Sequence, residues 1–173
     1  MSNAAGDLSK ALRKTLAAVE GLGHKAAAIG AVAHQAWGLK RETAGAELLI
    51  SLGPDRRESV LSAARGEGLR QSPDNPLRLV YGDAAATVDL VEASTPFHAQ
   101  VIARAQRANV LSTTMPLATC EDLILLAADR GVMIELLRGH AGRIDGAYLK
   151  REAEAAGVFD QVKLAWQEAK RQG

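Results

Sequence analysis

Two short apolar runs, Ala26-Ala27-Ala28-Ile29 and Glu47-Leu48-Leu49-Ile50-Ser51-Leu52, constrain what this chain can fold into more than any other feature. Each has the length of a strand, each is closed by a glycine (Gly30 and Gly53), and each is followed by a stretch at helical spacing. The first such stretch is 31–37; the second runs through Val60, Leu61 and Ala64, with Asp55 placed to cap it. Strand, tight turn and helix therefore occur twice in succession, which demands a sheet with helices packed on it. The composition agrees. Aromatic residues are only 3% of the chain, and an apolar content drawn largely from Ala, Leu and Val favours helices with buried strands over an all-β sandwich.

The rest of the chain extends this pattern. Leu8, Leu12, Leu16, Val19 and Leu22 recur at helical spacing before Gly23, predicting a first helix. The turn-rich stretch 71–76 leads into 77–81, whose partner across Gly82-Asp83 is 87–91, a hairpin or meander. Pro96 opens a helix to about residue 105, and a short extended piece follows over 110–117. Thr119 is placed to cap the next helix, with Asp122 as its reciprocal partner. Helices are then expected over 123–128, 132–137, 147–155 and 159–169. The expected architecture is α/β or α+β: one domain over 1–173, with a small mixed sheet flanked by helices in a core at about 24–117, and a helical section at about 119–173.

A chain of 173 residues, 47% hydrophobic, can bury one real core. Its 21 Lys+Arg against 20 Asp+Glu leave a net charge of +1, which excludes a broadly basic surface and argues against nucleic acid as a partner. The apolar runs are far shorter than the ~20 residues of a membrane helix, so no membrane partner is expected. The lone Cys120 cannot form an intramolecular disulfide, and with no leader-like N-terminus this fits a cytoplasmic protein. His24, His34, His98 and His140 are scattered without zinc-ligand spacing. Serine-hydrolase, Walker and dinucleotide-binding glycine motifs are all missing. Trp37 and Trp166 are expected as packing anchors between helices and sheet, and the Arg56-Arg57 and Arg104/Arg107 pairs as solvated faces.

Four segments, in order, carry a family resemblance: Ile29-Gly30-Ala31-Val32-Ala33, Arg41-Glu42-Thr43-Ala44-Gly45-Ala46-Glu47 with its apolar strand, Val88-Asp89-Leu90-Val91, and Thr119-Cys120-Glu121-Asp122-Leu123. Together they resemble the nucleotidyltransferase superfamily, of the AbiEii and minimal-nucleotidyltransferase kind found in short bacterial members. The resemblance implies a glycine turn for the triphosphate, an Arg-x-Thr-x-Asp-x-Asp stretch, and a third carboxylate on a later strand. The chemistry accounts for that spacing. Carboxylates at i and i+2 of a strand face the same way and hold the divalent metals that clamp attacking and leaving oxygens. A glycine turn at a helix start lets backbone N–H groups approach phosphate.

Carried over residue by residue, the resemblance makes Glu47 and Asp89 the metal ligands. Gly30, Ala31, Arg41 and Thr43 become the nucleotide contacts, Mg²⁺ the cofactor if the site is active, and a nucleoside triphosphate the ligand. The departures are as informative. Gly45 stands where the first Asp belongs, Glu47 replaces the second, Ala31 replaces the turn's small polar residue, Cys120 a proline, and Ala127 the later Lys. Glu42 is at an odd offset from Glu47 and would face away on an extended strand. Losing metal ligands costs orders of magnitude where catalysis is mainly positioning and charge stabilisation. The expectation is an eroded, non-catalytic or impaired site in a binding or assembly module with a protein partner, in the toxin–antitoxin or phage-defence setting the family implies. The alternative is an active Mg-dependent transferase moving a nucleotide to a small molecule, protein or RNA.

Overall fold

The computed structural model describes residues 4–83 and 86–171. It is a mixed α/β structure with a seven-stranded sheet and eight α-helices among these residues. The chain divides into two compact units, Met1–Val32 with Glu42–Ala118, and Ala33–Arg41 with Thr119–Gly173.

In the first unit, α1 (Ala4–Gly21) sets Leu8, Leu12, Leu16 and Val19 on one stripe, all buried, and packs them on the sheet. β1 (Ala26–Ile29) is buried along its whole length, as expected of a continuous apolar strand covered on both faces. At its end Gly30 takes φ +64°, a left-handed turn that glycine adopts without steric cost, and opens α2 (Gly30–Ala36). β2 (Gly45–Ile50) runs antiparallel to β1 and parallel to β5 (Ala86–Glu92), which pairs with β4 (Arg78–Tyr81) as the predicted hairpin. With β3 (Arg70–Gln71), β6 (Gln106–Val110) and β7 (Thr113–Leu117), the order across the sheet is β3-β4-β5-β2-β1-β7-β6.

Three sequence expectations need correction. The second strand is 45–50 rather than 47–52, because its ladder with β5 runs from Gly45↔Thr87 to Ile50↔Glu92 and the next amide, that of Ser51, already bonds Lys25 O. Asp55 does not cap the following helix. Pro54–Arg56 form a single 3₁₀ turn closed by Arg56 N to Gly53 O, and α3 (Arg57–Gly66) starts behind it with no side-chain cap. The extended piece at 110–117 is one arm of a hairpin, β6–β7, turned by Leu111 and Ser112 at φ 51° and 58°. Two left-handed residues in a two-residue loop match the twist of a hairpin, but they usually announce themselves as Asn-Gly, and this pair does not. α4 (Pro96–Arg104) is capped by Thr95 and packs on β1 and β2.

In the second unit Thr119 caps α5 (Cys120–Leu126) as expected. Its hydroxyl accepts from Asp122 N at 3.2 Å and lies 2.8 Å from Asp122 Oδ2. Asp129 caps α6 (Arg130–His140) and Asp145 caps α7 (Gly146–Ala155), and α8 (Phe159–Arg171) follows. Leu123, Ile124, Leu136, Leu149 and Ala165 form the apolar centre, with Asp122 buried among them against the Tyr148 hydroxyl at 2.6 Å. Both tryptophans fall in this strandless unit: Trp37 meets His140 edge-on at 5.1 Å, and Trp166 lines grooves of α8. No described helix is long and apolar enough to cross a membrane.

Candidate functional site

The sheet brings the predicted acids into one row. Ladder pairing sets Arg78 of β4 opposite Asp89 of β5, Asp89 opposite Glu47 of β2, and Glu47 opposite Ile29 of β1, one residue before the Gly30 turn. Residues in register on adjacent strands share a face, so these side chains stand side by side. Glu47 is exposed while its neighbours Ala46 and Leu48 are buried on the other face, the alternation a half-covered strand produces.

Asp89 is paired with an arginine. The Arg78 guanidinium donates from Nε to Oδ1 at 2.7 Å and from its second nitrogen to Oδ2 at 2.9 Å, a two-pronged pair that occupies both carboxylate oxygens. Glu47 is turned the other way along the row. A Cβ built on Gly30 would overlap Glu47 Oε2, so the carboxyl lies over the turn that a phosphate would have to approach. Partial burial, and secondarily the Asp89 charge, push its pKa above the ordinary glutamate value.

The position two residues before Glu47 is closed as well as empty of ligand. A Cβ on Gly45 would meet Thr87 Oγ1 at 2.8 Å, so even an alanine there needs Thr87 to turn aside. Thr43 is engaged locally: its hydroxyl donates to Gly45 O at 2.6 Å and accepts from Gly45 N at 3.1 Å, forming the turn that admits the chain to β2. Arg41 belongs to the helical unit, where it pairs with Glu135 of α6 at 3.5 Å, and its carbonyl accepts from the Gln35 side chain. Ala31 is the second residue of α2, beside Gly30.

These residues do not fit a catalytic metal pair. Among the described residues no three His, Cys, Asp or Glu side chains converge, one of the two acids is paired with an arginine through both oxygens, and Gly45 supplies no third. What remains is a charge ladder of cation, anion and a protonation-prone carboxyl along one sheet face, with no nucleophile in it.

Arg78 is the residue that sequence reading missed. The signal lies in the predicted hairpin of 77–81 with 87–91. Counting its register outward from Tyr81↔Ala86 sets Arg78 against Asp89.

No family model matches the chain, and no curated protein matches it. Among solved structures it is similar to a solution structure of the antibiotic-resistance factor ANT(2'')-Ia, at TM-score 0.49 and 12% identity over 95% of this chain and 91% of that one. A crystal structure of ANT(2'')-Ia in complex with adenylyl-2''-tobramycin matches at TM-score 0.46 and 12% identity, covering 93% and 95% of the two chains. An antigenic nucleotidyltransferase-like protein from Paracoccidioides brasiliensis matches at TM-score 0.45 and 11% identity, covering 95% and 86%. Likenesses this distant transfer neither a site nor an activity, and a function for this chain has to rest on its own residues.

Proposed function

We propose that this chain is a nucleotidyltransferase-fold protein whose metal and nucleotide site is eroded, and that it works as a binding or assembly module through a protein partner rather than as a transferase. The motif order in the sequence supports the superfamily. The observation that carries the loss of catalysis is the grip of Arg78 on both oxygens of Asp89, the one acid that matches the family pattern intact. A cation reaching Asp89 has to break two charge-assisted hydrogen bonds and then finds Gly45, without a side chain, where a further ligand is needed. The Glu47 carboxyl over Gly30 fills the space where the triphosphate would sit, which blocks the ligand the turn would otherwise attract.

Thermal-shift titration with Mg²⁺ and each of ATP, GTP, CTP and UTP tests this, because a ligand that binds only the folded state raises its stability by mass action. The expected result is no Mg-dependent shift at millimolar nucleotide. A shift for one nucleotide that needs Mg²⁺ and disappears in Asp89→Ala overturns the proposal and replaces it with an active transferase.

A further inference from the structure

Within the helical unit, Trp166 lines two apolar grooves. Between α7 and α8 a groove of about 200 Å³ has Leu149, Phe159, Val162 and Trp166 in its floor and walls. Between α6 and α8 a second, of about 230 Å³, is lined by Leu137, Ala169 and again Trp166. The rims are cationic. Lys150, Lys163 and Lys170 border the first groove and Arg138 and Lys170 the second, and no acidic residue lines either, although the chain carries 20 Asp+Glu. Two ammonium groups lie over the groove aromatics, Lys150 at 5.9 Å from the Phe159 ring and Lys170 at 5.9 Å from the Trp166 ring. Lys150 also reaches Glu154 at 3.8 Å in an exposed pair, whereas Arg138, Lys163 and Lys170 have no ion pair among the described residues.

We propose that this face of α6, α7 and α8 is a docking surface for an amphipathic helix of a partner protein, which seats one apolar side chain in each groove and sets acidic residues against Arg138, Lys150, Lys163 and Lys170. Each groove is below the roughly 300–1,000 Å³ of a small-molecule site and suits a single large side chain. Two such grooves that share Trp166 and Lys170 suit two neighbouring apolar anchors on a docking helix. The aliphatic parts of the floors, Leu137, Leu149 and Val162, favour apolar side chains over stacked bases, which need aromatic platforms in series. A second copy docking face to face would set these cations against their own kind. The inference rests on the reading that the chain works by binding, and it names the surface.

The test is selection of a displayed library of random peptides of about 16 residues on the full chain, followed by anisotropy titration of the selected sequences. The expected peptides carry two apolar residues three or four apart, flanked by Asp or Glu. Their affinity falls about tenfold in the Lys163→Glu/Lys170→Glu double variant, disappears in Trp166→Ala, and weakens between about 50 and 500 mM salt. Both lysines are exposed, so the charge reversals keep the test decisive should Trp166→Ala fail to fold. The proposal is overturned if nothing is selected, if the selected peptides are neutral or basic, or if the charge reversals leave affinity unchanged. It is equally overturned if a uridine oligonucleotide binds through these lysines in place of acidic peptide, or if Trp166→Ala abolishes a concentration-dependent dimer. A nucleotide shift in the preceding titration would refute the eroded site and leave this surface standing, so the two failures are distinguishable.

Discussion

Replacing Gly30 by alanine measures whether the glycine turn is filled. Two costs are separable. Gly30 sits at φ +64°, where an alanine loses about 1–2 kcal/mol to the contact of its Cβ with the backbone. The new Cβ also overlaps Glu47 Oε2, and relieving that overlap asks only for rotation of an exposed carboxyl, about 0.5–1.5 kcal/mol for leaving its rotamer. Gly30→Ala alone is therefore expected to cost about 1.5–3.5 kcal/mol, and about 1–2 kcal/mol in a Glu47→Ala background where the overlap is gone. With a urea slope of about 2 kcal/mol/M, the background cost corresponds to a midpoint shift of about 0.5–1 M, and the difference between backgrounds to a further few tenths. Urea unfolding followed by far-ultraviolet circular dichroism on the four proteins of the cycle reads both numbers. An equal cost in the two backgrounds would refute the claim that the Glu47 carboxyl covers the turn. A cost below about 0.5 kcal/mol in the Glu47→Ala background would refute the left-handed conformation itself.

Three further outcomes follow from the same physics. Glu47 has a raised pKa in the folded state, from burial first and Asp89 second, so the stability it contributes is full below the unfolded value near 4.5 and lost as pH rises through the folded value. Glu47→Gln should therefore gain stability over the wild type on going from pH 4.5 to pH 8 in parallel urea titrations, and an unchanged difference would refute the coupling. Cys120 is buried, and that burial, with Glu121 beside it, pushes its thiol up to about 12. At pH 8 about one molecule in ten thousand then carries the thiolate, so iodoacetamide should label it only in denaturant, and labelling of the native protein would contradict the buried placement. Tyr148→Phe removes a 2.6 Å donor from the fully buried Asp122, which should cost about 1–3 kcal/mol and lower the melting temperature by roughly 2–12 °C in calorimetry. A melting temperature within a degree of the wild type would show that Asp122 does not depend on that hydroxyl.

The readily legible parts of the fold were those set by local chemistry. Apolar spacing from Leu8 to Val19 marks α1, Thr119 marks the start of α5, and Pro96 the start of α4, because each signal lies within a turn or two of the feature it specifies. What escaped depends on pairing. The register that starts β2 at Gly45 is imposed by its pairing with Thr87 of β5, far along the chain, against glycine's own preference, and the β6–β7 turn uses Leu111 and Ser112 in a conformation their side chains do not advertise. The site divides the same way. Glu47, Asp89 and Gly30 are visible as residue types, and pairing in the sheet does bring them together; Thr43 is absorbed by its own turn, and Arg41 pairs instead with Glu135. Arg78 stands out only through its hairpin register, because nothing in a family pattern asks for a cation there. Only the ladder makes it the partner of Asp89.

That partner accounts for how two acids can stand opposite each other on adjacent strands. Two carboxyl groups directly opposite on adjacent strands repel and destabilise the sheet unless a cation joins them or one keeps its proton. In an active metal site the ions serve both ends, holding the strands' acids together and waiting for phosphate. Here Arg78 takes the charge of Asp89 on one side, while Glu47, with its pKa raised, bends over Gly30 on the other. A cation reaching this row would have to break the arginine pair and lift Glu47 off the turn. Arg78→Ala removes only the first of these barriers, and it exposes Asp89 to Glu47 without supplying the ligand absent at Gly45. The variant should therefore be less stable than the wild type at pH 8, with the deficit shrinking toward pH 4.5 as Glu47 takes up its proton, and still show no Mg-dependent nucleotide shift. If this one substitution is enough to restore the shift, the guanidinium was the lock on an otherwise intact site, and the protein is a restrained enzyme in place of an eroded one.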